Sequence, residues 1–493
     1  MSISTPQEVV ERALAAATTD GTVVIVTDRS EANLRWANSS LTTNGEMGSR
    51  SVTVIATVGV TAGTASGVVG RTVVDAADVV ALVAEAEAAA RAGDPASDAA
   101  PLVTPGEAGV GSDFTLAPEP TSIGAFDGVA RDLGEVFRAG GAGRQHRGGA
   151  GRQHPGGAGR QHLGGAERQH FGFAEHVVDT TYLGTSTGLR LRHVQPTGRL
   201  EMNAKNADWS ASSYLGFSLR DPSEADPLGA DVELAKRLGW AQRSVDLPAG
   251  RYETVMPPTC IADLLVYAVW EAEAKAADKG RSAYSRKGGG SRVGDRLARL
   301  PLDLYADPHH PGIEAAPFAI IPASTGAESV FDNGLALRRH DWLRGGVLTS
   351  LAGSRAYAAR SAAAGHHTPM GLATDNLVLE QPGATASLDD LVASTSRGLL
   401  LSTMWYIRTV DPQTLLQTGL TRDGVYLVED GEVVGAVTNF RWNESPLDVL
   451  DRITEVGASE RCYPREWGDD FTRAVMPPVR VADFNMSSTS QAR

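Results

Sequence analysis

The spacing of apolar residues over the first hundred positions predicts alternating helices and strands. Residues 6–18 carry apolar side chains at helical spacing, and the β-branched run TVVIVT that follows predicts a strand. Two extended segments come next, and the Asn44-Gly45 pair between them predicts a hairpin turn. An alanine-rich stretch then predicts a helix with Asp75 as its N-cap and Gly93 at its end. We therefore expect an N-terminal α/β domain.

Changes in composition and periodicity organise the remainder of the chain. Residues 94–121 are rich in Pro, Ala, Gly and Asp, which predicts a surface linker. The amphipathic stretch TSIGAFDGVARDLGEVF predicts a helix, and the sequence after residue 171 alternates as sheet does. Helical spacing returns at residues 258–280. Beyond residue 300, short strands and turns dominate, with one helix near residues 388–397.

These patterns predict an α+β protein in three parts. Residues 1–121 form the N-terminal α/β domain with its linker. Residues 122–290 form a central region of helices and strands that includes a low-complexity repeat insertion at residues 140–171. Residues 291–493 form a β-rich C-terminal domain.

Composition and charge narrow the classes of function. A length of 493 residues exceeds what one hydrophobic core organises, and 42% hydrophobic with 21% charged residues is typical of globular proteins. The net charge of -14 argues against general binding to nucleic acid, which needs a basic surface. The two cysteines give no disulfide framework, and we read them as reduced thiols. With no secretion signal and no apolar stretch long enough for a membrane span, we expect a cytoplasmic protein.

An eight-residue repeat, approximately GGAGRQH plus one variable residue, is the most unusual feature of the sequence. It places four of the eleven histidines in register, at positions 146, 154, 162 and 170. A metal-binding array and a nucleic-acid arm are both conceivable. However, glycine-rich units with almost no large apolar side chain cannot offset the entropy of ordering, so we expect a tolerated surface expansion. Excising Arg147 to His170 leaves VFRAGGAGRQHFGFAEHVV, a helix-to-strand connection of ordinary length.

A zinc hydrolase needs several ligands held together and an open position for water. None of the eleven histidines lies in an HExxH or HExxxH sequence. Weaker candidates are the HFGFAEH stretch, the pairs at residues 309–310 and 366–367, and Cys462. In a strand, Glu175 and His176 point to opposite faces, and surface loops commonly carry paired histidines. We assign no metal ligand and no catalytic residue to this chain.

Nucleophilic and nucleotide-binding motifs are also lacking. The sequence has no G-x-S-x-G elbow and no P-loop. The basic, glycine-rich stretch RKGGGSRVGDRL at residues 286–297 follows no β-run, so we read it as a flexible loop.

The block at residues 402–450 is the most distinctive one. It predicts a strand, a proline-containing turn and a hairpin that turns at Asp430-Gly431. Four polar side chains are expected to cluster near the strand ends: Arg408, Arg422, Asp423 and Asn439. They are candidates for contacts with a substrate or partner, and structural salt bridges or turn caps are the alternative.

This block resembles the C-terminal signature of the TldD/PmbA family, whose members are also described as modulators of DNA gyrase. NLRWANSSLTTNG, GFAEHVVDTTYLGTSTGLRLRHVQPTGRLEMNAK, ADLLVYAVWEAEAKAADKGRSAYS and RVADFNMSSTSQA also resemble this family, in its PmbA or TldE branch. Together these segments tile nearly the whole chain. The resemblance implies a β-rich C-terminal domain of the TldD/PmbA type.

The resemblance further implies a two-subunit metalloprotease that acts on unfolded peptides. In such a complex, a TldD subunit holds zinc on a HExxxH helix and pairs with a TldE subunit that lacks the motif. Here the matching helix has Tyr267, Trp270 and Glu271 but no histidine, and Glu271 and Glu273 are expected to be exposed carboxylates. We therefore expect the non-catalytic partner, with no cofactor of its own and with zinc in a TldD-like subunit of a heterodimer.

Two alternatives stay open at the level of sequence. One is an autonomous metallopeptidase with a non-standard site built from loop histidines. The other is a non-enzymatic regulator that binds protein, or DNA through the repeat.

Overall fold

A computed structural model of the chain describes residues 4–61, 63–72, 78–140, 167–365 and 368–490. The predicted N-cap Asp75, the histidines at positions 146, 154 and 162, and the pair at 366–367 lie outside these residues. The described helices begin and end as follows: α1 Pro6–Ala16, α2 Val79–Ala92, α3 Asp127–Gly140, α4 Pro227–Trp240, α5 Pro258–Trp270, α6 Ala274–Asp278, α7 Arg355–Ala363, α8 Leu388–Ala393 and α9 Pro446–Asp451.

Short 3₁₀ turns lie at Ile123–Phe126, Pro222–Glu224 and Val330–Asp332. The strands of the first half are β1 Gly21–Ala37, β2 Ser40–Val60, β3 Gly63–Thr72, β4 Arg168–Thr185, β5 Arg190–Asn206, β6 Ser212–Leu219, β7 Ser244–Val245 and β8 Gly250–Met256. Those of the second half are β9 Asp303–Ala306, β10 His340–Arg344, β11 Val347–Leu348, β12 Leu351–Ala352, β13 Met370–Gly371, β14 Leu377–Glu380, β15 Arg397–Asp411, β16 Leu416–Glu429, β17 Glu432–Val437, β18 Asn439–Glu444, β19 Ile453–Val456, β20 Glu460–Cys462, β21 Ala474–Met476 and β22 Val479–Ser490. Strands and helices together confirm the α+β class.

Long antiparallel strands make the first sheet, in the order β3-β2-β1-β4-β5-β6. The predicted turn at Asn44-Gly45 is wrong, because both residues lie within β2 and pair with β1. The chain turns instead at Asn38 and Ser39, whose φ angles of 50° and 56° are those of a tight hairpin turn. An Asn-Gly pair reverses the chain only where its neighbours also allow a turn. Here the pairing of β1 with β2 continues through Asn44 and Gly45.

Helices cover one face of this sheet in two groups. Helices α1 and α2 pack on β1 and β2 around Val24, Val54 and Leu82. Helices α3 and α4 pack further along, around Leu133 and Leu234. Strand β1 precedes residue 121 and β4 follows it, yet the two strands pair in this sheet. The predicted division into three domains stays a prediction.

The second half of the chain contributes a mixed sheet and a closed barrel. The mixed sheet has the order β11-β10-β9-β14-β21-β20. In the barrel, β15 pairs with β8, β8 with β22, β22 with β18, β18 with β16, and β16 again with β15. Closure leaves these five strands no free edge along the ring. Strands β17, β7 and β19 extend from it, and the pair β12–β13 stands apart.

Helix α5 connects the mixed sheet to the barrel. It is buried along almost its whole length, and its side chains share one core with barrel strands and with β9, β14 and β21. The helix predicted over residues 258–280 is broken at residues 271–273, so α5 and α6 are separate. Among the described residues, no helix is both long and apolar enough to cross a membrane.

The end of the last repeat unit belongs to β4, which corrects the expectation that the surface insertion extends to residue 171. Gly140 ends α3, and β4 begins at Arg168. His170 is fully buried, with Nε2 2.8 Å from Asp231 Oδ1 of α4, and Arg168 also pairs with Asp231. A Cβ on Gly140 would lie 2.8 Å from His170 Cε1, so the end of α3 touches the start of β4. A short link is therefore enough to join them.

Deleting Arg147 to His170 is expected to leave the fold intact. The deletion moves Arg144, Gln145 and His146 into the positions of Arg168, Gln169 and His170, so the same three side chain types enter β4. Loop closure depends only weakly on loop length. Thermal melting of the deletion variant should therefore match that of the parent chain within a few degrees.

The same deletion combined with His146→Ala provides the control. It removes the histidine partner of the buried Asp231 carboxylate, which we expect to lower the free energy of unfolding by about 1–3 kcal/mol. Equal melting of the two deletion variants would show that the histidine in this register does not anchor β4.

Candidate functional site

Helix α5 places the side chains of the first candidate site. Pro257 and Pro258 stand at its N-terminus, where proline is pre-organised for a helix. The helix ends at Trp270, and the chain leaves it through Glu271 and Glu273. The C-terminal end of α5 is therefore the point at which a buried helix reaches the surface.

Aromatic rings surround that end of the helix. Trp467 lies 5.5 Å from Tyr267 and 5.3 Å from Trp270 between ring centroids, and Phe471 lies 6.3 Å from Trp270. The Tyr267 hydroxyl is 2.5 Å from Thr409 Oγ1 of β15. Trp270 keeps 41% of its surface exposed despite these contacts. We call these four rings the α5 aromatic cluster.

A cavity of about 340 Å³ opens beside the α5 aromatic cluster. Trp270, Phe471 and Trp342 give it apolar walls, and its carboxylates are those of Glu273, Glu328 and Asp375. Glu271 and Glu273 are both half-buried, so the expectation of exposed helix carboxylates is wrong. Burial raises the pKa of the Glu273 carboxyl, and the nearby Glu271 carboxylate raises it further. The cavity thus combines aromatic walls with several polar and acidic side chains.

The polar groups of α5 do not suit a catalytic zinc ion. Asp263 and Cys260 are fully buried on the helix, and Cys462 is buried near them. Burial raises the pKa of all three groups, which favours the neutral acid and thiols over the anions that bind zinc. Within the part of the chain that the structure describes, no three or more His, Cys, Asp or Glu side chains are arranged to hold a metal ion.

The segment at residues 463–471, which sequence reasoning missed, is held against α5 by hydrogen bonds. The Glu466 N–H donates to Asp263 Oδ1 at 3.0 Å, and the Trp467 indole N–H donates to the Asp263 carbonyl at 2.7 Å. The Glu466 carboxylate in turn accepts the N–H groups of Tyr406 and Ile407 at 2.7 and 2.9 Å. The only sequence signal was an aromatic and charged stretch, CYPREWGDDF, without a motif.

The structure brings together some of the four predicted site residues. Arg422 and Asp423 line a second cavity, of about 390 Å³, between the first sheet and the barrel. Asn439 of β18 accepts a hydrogen bond at 3.1 Å from the Oγ1 of Thr421, the residue that precedes them in β16. Arg408 lies elsewhere, over the Tyr406 ring and 3.1 Å from Glu466. Their roles as contacts stay predictions.

The histidine candidates that lie within the described residues do not meet in one site. His176 Nδ1 lies 2.7 Å from Thr121 Oγ1, whereas Glu175 pairs with Arg199 at 3.0 Å. The ring of His310 packs near Tyr305, and His309 is exposed. The stretch at residues 286–297 forms turns in which Arg286 pairs with Asp295 at 2.6 Å.

Comparison with known proteins agrees with this architecture. The family described as PmbA/TldA metallopeptidase C-terminal domain matches residues 249–488, which include the barrel and the mixed sheet. Residues 249–488 belong to the TldD/PmbA family. No curated protein matches the sequence.

Solved structures show the same fold as this chain over nearly all of its length. TldE from Thermococcus kodakarensis has a TM-score of 0.72 at 14% identity, with 97% of this chain and 99% of that chain covered. A proposed modulator of a DNA gyrase from Thermotoga maritima MSB8 has 0.71 at 17%, covering 98% and 100%. Another from Bacteroides thetaiotaomicron VPI-5482 has 0.68 at 16%, covering 98% of each chain. At these identities the likeness concerns the fold.

A buried histidine predicts how the stability of the chain depends on pH. His340 on β10 is buried with its ring 4.8 Å from Trp342, and burial lowers its pKa to about 4 although Asp341 acts against this. The unfolded chain takes up this proton near pH 6.5 and the folded chain near pH 4. The stabilisation is complete above pH 6.5, and up to about 3 kcal/mol is lost as the pH falls to 4.

Urea unfolding of the His340→Gln variant at pH 7 and at pH 4.5 measures this contribution. The variant should lose less stability between the two pH values than the parent chain does. His309→Gln, at an exposed position, is the matched control and should retain the parental pH dependence.

Proposed function

We propose that this chain is the non-catalytic, PmbA/TldE-type subunit of a cytoplasmic two-component metalloprotease that degrades or processes unfolded peptides. In this proposal a TldD-like subunit carries the HExxxH motif and the zinc ion, and the two subunits form a heterodimer. This chain supplies part of the wall of the chamber in which the peptide is cleaved.

The observation that carries the proposal is the character of α5. This helix resembles the family's metal helix, yet its exposed end carries indole and phenol rings, and its carboxyl and thiol groups are sealed in the core. Such a helix cannot present several zinc ligands and a water molecule together. It can present an aromatic wall to a peptide, because aromatic rings contribute large contact areas at small entropic cost.

Outer strands support the peptide-binding part of the proposal. Strands β3 and β6 are the outer strands of the first sheet, and β20 is an outer strand of the mixed sheet, whose other outer strand, β11, is hydrogen-bonded to residues 294–297. An extended peptide can add to an outer strand through backbone hydrogen bonds, which bind many sequences alike. That property suits a protease whose substrates share an unfolded backbone and no common side chain.

Zinc content and peptide cleavage test the assignment of the catalytic role. The purified chain alone should contain far less than one zinc per molecule and should not cleave an unfolded peptide. Mixed with the HExxxH subunit encoded in the same genome, it should form a stable complex by size-exclusion chromatography and raise the cleavage rate. Stoichiometric zinc with activity in the isolated chain would refute the proposal and favour an autonomous peptidase.

Substitution of Trp270 tests the proposed wall of the chamber. Trp270→Ala removes the exposed ring of the α5 aromatic cluster, and we expect cleavage by the complex to fall about tenfold, as for loss of an aromatic anchor. Leu41→Ala, which removes a side chain of 48% exposure from β2, is the control and should leave cleavage unchanged. Equal rates for both variants would exclude a role for the α5 aromatic cluster.

A further inference from the structure

The second cavity has the features of a binding site for an anionic ligand. It lies where β4, β5 and β6 of the first sheet meet β16 of the barrel and Arg465 of the segment at residues 463–471. Its volume of about 390 Å³ falls within the range of small-molecule sites. Three cationic side chains and two anionic ones line it, although the whole chain carries a net charge of -14. We call it the Arg465 pocket.

Both carboxylates of the Arg465 pocket are occupied by protein donors. Asp423 pairs with Arg465 and accepts a hydrogen bond from Ser212 Oγ at 2.9 Å. Glu201 accepts hydrogen bonds from the hydroxyls of Tyr214 and Tyr463, at 3.0 and 3.3 Å. Neither carboxylate is therefore available as the main partner of a ligand.

One of the three cations is equally committed to the protein. Besides Asp423, Arg465 donates to Thr403 Oγ1 at 2.6 Å, and its guanidinium lies 3.8 Å from the centroid of the Tyr214 ring. These contacts hold Arg465 in one position. Arg465 is therefore a fixed part of the pocket wall, and its burial is offset by its pairing with Asp423.

The other two cations, Lys205 and Arg422, have no carboxylate partner among the described residues. Lys205 Nζ lies 4.6 Å from the Trp209 ring and 5.6 Å from the Phe171 ring, and it makes no ion pair. The Arg422 side chain is half-buried and likewise makes no ion pair. Two partly desolvated cations without a carboxylate partner, of which Lys205 lies beside aromatic rings, favour the binding of a negatively charged group.

The composition of the walls selects among anions. Strands form most of the pocket, so it offers no helix N-terminus of the kind that commonly binds phosphate. Guanidinium groups bind planar carboxylates through paired hydrogen bonds, and the Phe171 ring supplies an apolar surface beside them. A carboxylate attached to an apolar or aromatic side chain matches both features.

We propose that the Arg465 pocket binds the C-terminal carboxylate of a peptide, with Arg422 and Lys205 as the cations and Phe171 beside the last side chain. The ligand class rests on the proposed function, in which peptides occupy the complex. The segment at residues 463–471 connects the two sites, because Arg465 lines this pocket and Trp467 belongs to the α5 aromatic cluster. One peptide chain end would thus be held close to the proposed chamber wall.

Isothermal titration calorimetry on the full chain, without a partner subunit and at constant ionic strength, tests the inference. The probes are N-acetyl-Gly-Ala-Phe, its C-terminal amide, N-acetyl-Gly-Ala-Gly and inorganic phosphate. We expect the Phe acid to bind at least about tenfold more tightly than its amide, since a charge-assisted hydrogen bond is lost with the carboxylate. The Gly acid should bind more weakly than the Phe acid because it has no side chain to contact Phe171.

Substitutions then locate the site. Arg422→Gln and Lys205→Met should each weaken binding of the Phe acid by about tenfold or more, whereas Arg422→Lys should retain part of the affinity. Arg338→Gln, at an exposed arginine outside the pocket, is the matched control and should change nothing. Thermal melting of each variant checks that it is folded.

Three outcomes would overturn the inference. They are equal affinity for acid and amide, equal loss in the Arg338→Gln control, and binding of phosphate without binding of the peptide acid. The proposed function fails separately, through zinc and activity in the isolated chain, because the calorimetry does not depend on a partner subunit.

Discussion

The buried carboxyl of Asp263 is the point on which both candidate sites depend. Asp263 lies on α5, the helix whose side chains pack in one core with the barrel and the mixed sheet. Its carboxyl accepts a hydrogen bond from the Glu466 N–H, and its backbone carbonyl accepts one from the Trp467 indole N–H. These two bonds hold the segment at residues 463–471. Burial raises the pKa of this carboxyl, so the neutral acid is favoured in the core. A polar group in such a position is stabilising only while its hydrogen bonds are made.

From that anchor, neighbouring residues of one segment reach in different directions. Arg465 enters the pocket between the first sheet and the barrel, and Trp467 packs on Trp270 at the end of α5. Glu466 lies between them and holds the irregular part of β15, where Tyr406 has a φ of 58°. The left-handed conformation is unfavourable for a bulky residue. The three hydrogen bonds that the Glu466 carboxylate accepts stabilise the backbone in this conformation. A few consecutive residues of one segment therefore contribute to both sites.

The two cavities differ in chemistry. Beside α5, apolar rings and three acidic residues meet, whereas the Arg465 pocket combines an arginine–aspartate pair with two uncommitted cations. Burying Arg465 is unfavourable by itself, and Asp423, Thr403 and the Tyr214 ring together offset that cost. Arg465 therefore needs no further ordering when a ligand enters the pocket.

Sequence patterns were sufficient to predict the class of fold, the family and much of the helix content. Local periodicity determines whether a segment is helix or strand, and the predicted helix end at Gly93 agrees with the end of α2. The C-terminal block that suggested the family lies within the matched domain. The absence of HExxxH is likewise a property of the sequence alone.

Tertiary structure decided what local patterns could not. The Asn44-Gly45 pair has strong turn propensity, yet the pairing of β2 with β1 and β3 overrides it. His170 looks like any other histidine of the repeat, and only the position of Asp231 on α4, sixty-one residues later, makes it a buried strand residue. Arg422 and Asp423 were recognisable as polar residues of a hairpin, but Lys205 and Arg465 join them only because the first sheet packs on the barrel. Contacts between residues distant in sequence have no local signature, and both candidate sites are made of such contacts.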